Sequence, residues 1–138
     1  SNDFLLKLIS GSMPACPKIH MGYIDVRDVA KAHIFSMTEE KTNGERIIVS
    51  ENEMFFAEVG KTLNEAGFKK SPTKELPNFL VKIMSFFVGE LKTLISALNR
   101  KGDIDKTKAE RFFNWEYIST EQSVTETAQQ LQEMGLTK

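Results

Sequence analysis

Two aspartates, Asp25 and Asp28, stand three residues apart in "YIDVRDVAKAH" (residues 23–33), where an apolar stretch gives way to a helical pattern. A carboxylate pair could share acid–base work. That role needs a further polar partner and a pocket, and the neighbouring residues supply neither. The alternative is structural. The first turn of a helix has unpaired N–H groups, and a short carboxylate accepts from them at the positive end of the helix dipole. With Asp25 at the N-cap and Asp28 three residues on, the pair resembles a capping box. Capping is therefore expected at both positions.

Other chemistry-bearing residues are sparse. Cys16 and His20 could open a metal site, but no second pair completes it. Cys16 as a nucleophile would need a base and an orienting group. His20 and His33 are the only histidines. His33 falls on the apolar side of its helix and reads as a core residue. Neither Tyr23 nor Tyr117 is followed by a lysine four residues later, and no glycines are spaced to cradle a pyrophosphate. The residues alone assemble no complete catalytic set and no metal site.

The elements that would position these residues alternate. "DFLLKLIS" reads as the end of a helix stopped at Gly11, and "GSMPACPKIHMG" as a loop. "MGYIDV" is a short strand. From Asp25 the period becomes helical, with Val26, Val29, Ala30, His33, Ile34 and Met37 on one apolar face. "EEKTNG" closes that helix. "ERIIVS", residues 45–50, is a strand by its β-branched run. Phe56, Val59, Leu63 and Ala66 give the next helix its buried face, and Gly67 sits at a left-handed C-cap position. "FKKSPTKELP" is extended. Ala109, Phe112, Phe113 and Trp115 form an apolar cluster. The closing helix, 123–134, buries Val124, Ala128, Leu131 and Met134 and ends at Gly135.

Residues 78–99 have the length of a membrane span. Asn78, Lys82, Ser85, Gly89, Lys92, Ser96 and Asn99 nevertheless recur four and three apart, a narrow polar stripe. Charges at Lys82, Glu90 and Lys92 would each cost roughly 3 kcal/mol in a bilayer core. A long amphipathic helix is expected instead, with a break near Gly89, its stripe to water and no membrane insertion.

The 138 residues suit one domain, 1–138, and at 41% hydrophobic they can build a core. A net charge of −1, from 18 basic and 19 acidic residues, gives no reason to expect nucleic acid. The first residues lack the pattern of a secretory leader, and one cysteine suits a reducing compartment, so a cytoplasmic protein is expected. The class is α/β, rich in helix.

Four segments, in order, carry a resemblance. "YIDVRDVAKAHIFSM" resembles the (V/I)-D-V-R-D-V-A-x-A-H segment of extended short-chain dehydrogenases/reductases, in the dihydroflavonol 4-reductase-like branch. "NGERIIVSENEMFFAEVGKTLNEAG" is similar to that family's G-x-(R/Y)-(Y/I)-I-x-S and the helix after it. "DKTKAERFFNW" resembles D-x-x-K-A-x-x-x-L-G-W, and "SVTETAQQLQEMGL" the closing helix. Together they run from Tyr23 to the end. Asn114 and Phe113 depart from the family's Gly and Leu, and "ENEMFF" lacks the usual Ser or Thr before its helix.

The resemblance implies the C-terminal substrate-binding lobe of such an enzyme, without most of the Rossmann domain. The family's glycine-rich NAD(P) turn and its Ser…Tyr-x-x-x-Lys set have no counterpart in the chain. The implied parent is an NAD(P)-dependent carbonyl reductase, with a sugar-nucleotide epimerase/dehydratase or a stand-alone non-catalytic α/β binding module as alternatives. The chain itself is expected to hold no cofactor and to be inactive. Residues 45–50 would lie at a sheet edge. The apolar helix from Phe79 onward suggests a hydrophobic carbonyl substrate lined by Phe79, Ile83, Phe86 and Phe87. A bare apolar face would make the chain self-associate.

Overall fold

The computed structural model describes residues 2–86 and 95–137. In chain order it runs α1 (Asn2–Ile9), β1 (Cys16–Pro17), β2 (His20–Tyr23), α2 (Val26–Thr38), a 3₁₀ turn (Glu40–Thr42), β3 (Asn52–Phe55), α3 (Phe56–Glu65), β4 (Glu75–Leu76), α4 (Asn78–Met84), α5 (Thr107–Phe112) and α6 (Thr120–Glu133). This is the helix-rich α/β class the sequence indicates. Among the described residues no helix is long and apolar enough to cross a membrane.

Two short ladders stitch the loops to the helices. β1 and β4 pair in parallel, Cys16 opposite Glu75. β2 and β3 pair antiparallel, from His20–Phe55 to Tyr23–Asn52. β3 passes straight into α3, so this hairpin-like pair fixes where α3 begins.

The main core lies between α1, α3 and α6. Leu8, Ile9, Val59, Leu63, Val124, Ala128 and Leu131 meet there, with Cys16 of β1 and Ile19 just after it. The spacing of Phe56, Val59 and Leu63 puts all three on the inward side of α3, but Ala66 is exposed. Gly67 has φ 109°, the left-handed residue expected after the helix. Gly60 serves another purpose. A Cβ there would sit 2.0 Å from the Pro72 carbonyl oxygen, so only glycine lets the 71–74 segment cross α3.

A second cluster joins α2 to α5. Ala32, Ala109 and Phe113 are buried, with Phe35, Ile47, Val49 and Trp115 around them. Phe113 and Trp115 stack at 4.7 Å, and Phe35 meets Phe113 edge-on at 5.4 Å, both favoured ring geometries.

Several expectations change. Residues 45–50 form no strand: the segment carries no ladder among the described residues, because no strand lies beside it. α2 turns its other side inward. Asp28 and Ala32 are buried, while Val26, Ile34 and Met37 are 77%, 65% and 85% exposed. His33 is exposed rather than a core residue; its Nδ1 lies 2.8 Å from the Val29 carbonyl one turn back. Periodicity finds the apolar stripe, and small Ala32 with Phe35 is what fits under the Phe113–Trp115 stack. α6 begins at Thr120, three residues earlier than expected, because Ser119 caps it by accepting the Gln122 amide at 3.2 Å. Met134, expected inside, is 71% exposed.

The helix expected over 78–99 is regular as α4 only to Met84. Residues 87–94, with Gly89, Lys92 and Phe87, lie outside the described residues. Ser85, assigned to the water-facing stripe, is buried, its hydroxyl donating to the Lys82 carbonyl at 2.7 Å. Val81 is fully buried, and Phe79, Ile83 and Phe86 face out.

Candidate functional site

The polar residues of the chain converge on the start of α2. Asp25 accepts the Arg27 amide at 2.8 Å, the N-cap contact. The same carboxylate takes the Arg27 guanidinium as a fork, Nε to Oδ1 and Nη2 to Oδ2, both at 2.9 Å. Nη2 also reaches Glu126 of α6 at 2.7 Å. The Arg27 guanidinium and amide, then the Ser123 hydroxyl, hold the buried Asp25 carboxyl well below the usual carboxylate range, against the opposing effect of burial. Gln122, then Arg27, lowers Glu126 likewise.

Asp28 does something the capping spacing does not suggest. Its Oδ2 accepts the backbone N–H of Ile118 at 2.8 Å, ninety residues on. The buried carboxylate thus ties the start of α2 to the segment leading into α6. Glu51 makes a matching tie, accepting the Thr120 amide at 2.9 Å and the Thr120 hydroxyl at 2.5 Å. Lys106 donates to the Glu51 carbonyl at 3.0 Å, and the Ile104 amide to Glu53 at 2.8 Å. The Arg27–Glu126 and Glu51–Thr120 contacts carry no local signal, since each joins residues far apart in the sequence.

Beside this junction lies an open cleft of about 430 Å³ lined by Ser50, Glu51, Lys106, Glu110, Phe113, Trp115, Glu116 and Tyr117. It holds no nucleophile–base pair. Tyr117 is raised above the usual tyrosine range by burial, then by Asp28 and Glu110, so it stays protonated at neutral pH. The buried Tyr23 hydroxyl is likewise raised, chiefly by burial. Burial pushes the Cys16 thiol up to about 11. His20 Nδ1 stands 3.6 Å from Glu53 Oε2, and its ring lies 4.7 Å from Phe55. Among the described residues no group of three or more His, Cys, Asp or Glu could hold a metal ion.

The helix starts also bear on cofactor binding. A dinucleotide's phosphates sit on free N–H groups at a helix N-terminus. Here Asp25 accepts the second amide of α2, Glu58 the Phe55 amide at the start of α3 at 2.6 Å, Asp105 the Thr107 amide of α5 at 3.0 Å and Glu51 the Thr120 amide of α6. Four of the helix starts are thus already held by carboxylates, which would repel a pyrophosphate. At these four helix starts the residues do not fit the pyrophosphate of a nicotinamide dinucleotide.

The other feature is apolar. Phe79, Ile83 and Phe86 are 63%, 52% and 81% exposed on and just after α4, an outward row one turn apart. These three lie on one side of the chain at α4, and Phe87 lies outside the described residues.

No family model matches the chain. It is 29% identical over 115 residues to the NADPH-dependent methylglyoxal reductase Gre2 of Saccharomyces cerevisiae, covering 83% of this chain and 30% of that protein. It is 36% identical over 87 residues to an uncharacterized oxidoreductase of Schizosaccharomyces pombe, covering 63% of this chain and 26% of that protein. The crystal structure of yeast methylglyoxal/isovaleraldehyde reductase Gre2 complexed with NADPH superposes with a TM-score of 0.67 at 26% identity, over 97% of this chain and 39% of that one. The chain thus spans less than a third of the curated relatives it matches, and its fold is that of a fragment of such reductases.

Proposed function

We propose that this chain is the C-terminal, substrate-side portion of an NADPH-dependent carbonyl reductase of the extended short-chain dehydrogenase/reductase type, in or near the dihydroflavonol 4-reductase-like branch. One observation carries this: nearly the whole chain follows the backbone of a reductase complexed with NADPH, yet spans well under half of it. The carboxylate-held helix starts support the same division of labour, since the nucleotide then belongs on the rest of the polypeptide. NADPH would supply the hydride there, and no step of that chemistry falls to the described residues.

What this chain would contribute is the substrate wall. Phe79, Ile83 and Phe86 present apolar surface suited to a small hydrophobic aldehyde or ketone and able to exclude water. The row carries no cation to hold the diphosphate of a sugar nucleotide. Asp25 and Asp28 keep the two-ended junction in place and touch no reacting atom. The single cysteine suits a cytoplasmic setting.

The test uses the full-length polypeptide that carries this chain. Its oxidation of NADPH should follow added isovaleraldehyde or methylglyoxal. Phe79→Ala and Ile83→Lys should raise KM severalfold with kcat largely kept, as loss of uniform binding predicts. A full-length protein that consumes no NADPH with any aldehyde or ketone overturns the assignment.

A further inference from the structure

Asn43 is the only one of the chain's seven asparagines that glycine follows. That neighbour matters chemically. The backbone nitrogen after an asparagine can attack its side-chain amide, and a side chain on the following residue would crowd the approach. Residues 42–45 form a β-turn, with the Glu45 amide donating to the Thr42 carbonyl at 3.1 Å. Asn43 at φ −63°, ψ 127° and Gly44 at φ 76° are the two central residues of a type II turn. Both ends are held. Thr42 is buried, and its hydroxyl donates to the Glu39 and Ser36 carbonyls at 2.7 and 3.1 Å. Glu45 pairs with Lys108 of α5.

The tip between them is bare. Asn43 and Gly44 are exposed, and a Cβ added at Gly44 would meet nothing within 4 Å. Among the described residues neither the Asn43 side chain nor the Gly44 N–H makes a hydrogen bond. Other asparagines are engaged. Asn52 Oδ1 already accepts the amide of the next residue, Glu53, at 2.8 Å. Asn64 Nδ2 donates to the Lys69 and Ser71 carbonyls at 3.1 and 3.2 Å. Turns of types I and II differ by a flip of the central peptide alone and keep the outer hydrogen bond. Glycine accepts φ of either sign. The Gly44 nitrogen can therefore swing toward the Asn43 side chain while Thr42 and Glu45 stay in place.

We propose that Asn43 is a site of spontaneous covalent modification, where the chain converts its own side-chain amide to an acid. The Gly44 nitrogen gives up its proton to solvent base and bonds to Asn43 Cγ. The bond from Cγ to Nδ2 breaks, and that nitrogen leaves as ammonia. The product is a five-membered succinimide. Water then opens the ring at either carbonyl. One opening leaves aspartate at position 43. The other leaves isoaspartate, in which the main chain runs through Cβ and Cγ and is longer by one methylene. Nothing is oxidised or reduced: one water is consumed and one ammonia released. Either product adds a negative charge two residues from the Glu45 carboxylate that Lys108 holds. Isoaspartate also has the wrong backbone length for the Thr42–Glu45 bond. It therefore frees Glu45 and loosens the run that follows, whose Ile47 and Val49 pack with Phe113 and Trp115. The proposal does not depend on the reductase reading.

Peptide mapping by mass spectrometry, on the full-length polypeptide incubated at neutral to mildly alkaline pH, tests this. Asn43 should gain the mass of an amide-to-acid exchange at least tenfold faster than each other asparagine, and no more than tenfold slower than a synthetic peptide of residues 38–48. Asn43→Gln, which must close a larger ring, should lose ammonia at that position at least tenfold more slowly. Hydrogen exchange at the Glu45 amide reads the consequence. It should be at least tenfold faster in the isoaspartate form than in fresh protein, and unchanged in Asn43→Asp, which has the charge without the longer backbone. An Asn43 amide that survives in the folded protein while the peptide loses its own overturns the proposal. So does loss at Asn43 no faster than at the other asparagines. Equal exchange at Glu45 in the isoaspartate form and in fresh protein overturns the release of the turn.

Discussion

Replacing Asp28 should cost the fold more than replacing Asp25, although Asp25 is the N-cap. Asp25→Ala removes the acceptor for the Arg27 amide, a loss of about 1 kcal/mol. The Arg27 fork adds little, because its guanidinium is half in solvent, with 54% side-chain exposure. Asp28→Ala removes the partner of the Ile118 N–H. A buried amide left without an acceptor costs roughly 1–3 kcal/mol, and the half-buried Ile118 lies toward the lower part of that range. Loss of a carboxylate from the first turn adds about 0.3–1 kcal/mol. The expected totals are about 1–1.5 kcal/mol for Asp25→Ala and about 2–3 kcal/mol for Asp28→Ala. For a chain of 138 residues, 1 kcal/mol corresponds to roughly 3–4 °C in Tm. Thermal melts by circular dichroism, with urea titrations to check the slope, separate the two. Asp28→Asn keeps an acceptor oxygen and should recover at least half of the loss. An Asp28→Ala variant that melts within 1 °C of wild type, or above Asp25→Ala, would show that the Ile118 tie contributes nothing.

Acid should destabilise the chain partly through Asp25. Its carboxyl is lowered in the fold, so its contribution is full above the unfolded carboxylate range near pH 3.9 and is lost as pH falls toward the folded value; the stability gap between wild type and Asp25→Asn should therefore narrow below about pH 4 in a pH series of urea melts. Gly60→Ala sets a methyl against the Pro72 carbonyl and should cost more than about 3 kcal/mol, read as a collapse in soluble yield or Tm. Calorimetric titration of the 138-residue chain with NADPH should give no saturable heat, and micromolar binding would contradict the placement of the cofactor elsewhere. Sedimentation velocity across a concentration series should show the chain self-associating through the exposed row at α4, with Phe79→Lys and Phe86→Lys reducing both association and hydrophobic-dye binding. A clean monomer without dye binding would mean that row attracts nothing.

The elements legible in the sequence are those that local chemistry decides. Asp25 announces the start of α2, and Gly67 and Gly135, both at positive φ, announce the ends of α3 and α6. Val124, Ala128 and Leu131 share a side because their spacing leaves no other choice. The fragment character was legible from four family-like segments and from what they lacked. What escaped depends on partners. Residues 45–50 have strand composition, but a strand exists only beside another. The stripe on α2 was found and then aimed the wrong way, since periodicity says which residues go together and not what they meet. Asp28 looked like half of a cap because its real partner, Ile118, is remote in sequence. Ser85 looked exposed because its hydroxyl pairs within its own turn. For the site, Phe79, Ile83 and Phe86 do form one outward row, while Arg27, Glu51 and Glu126 had no sequence signal.

The burial of Cys16 makes the molecule its own stopwatch. The thiol is fully shielded from solvent and sits where α3 and the main core meet β1. With its ionisation pushed to about 11, only about one molecule in a thousand carries the reactive thiolate at pH 8. It is also the only cysteine in the chain. A thiol reagent therefore modifies each molecule once, and only when the central packing loosens. The rate of that single event, followed in excess reagent, reads how often the core opens under native conditions. No dye or label need be introduced, and every substitution discussed above can be ranked on the same clock.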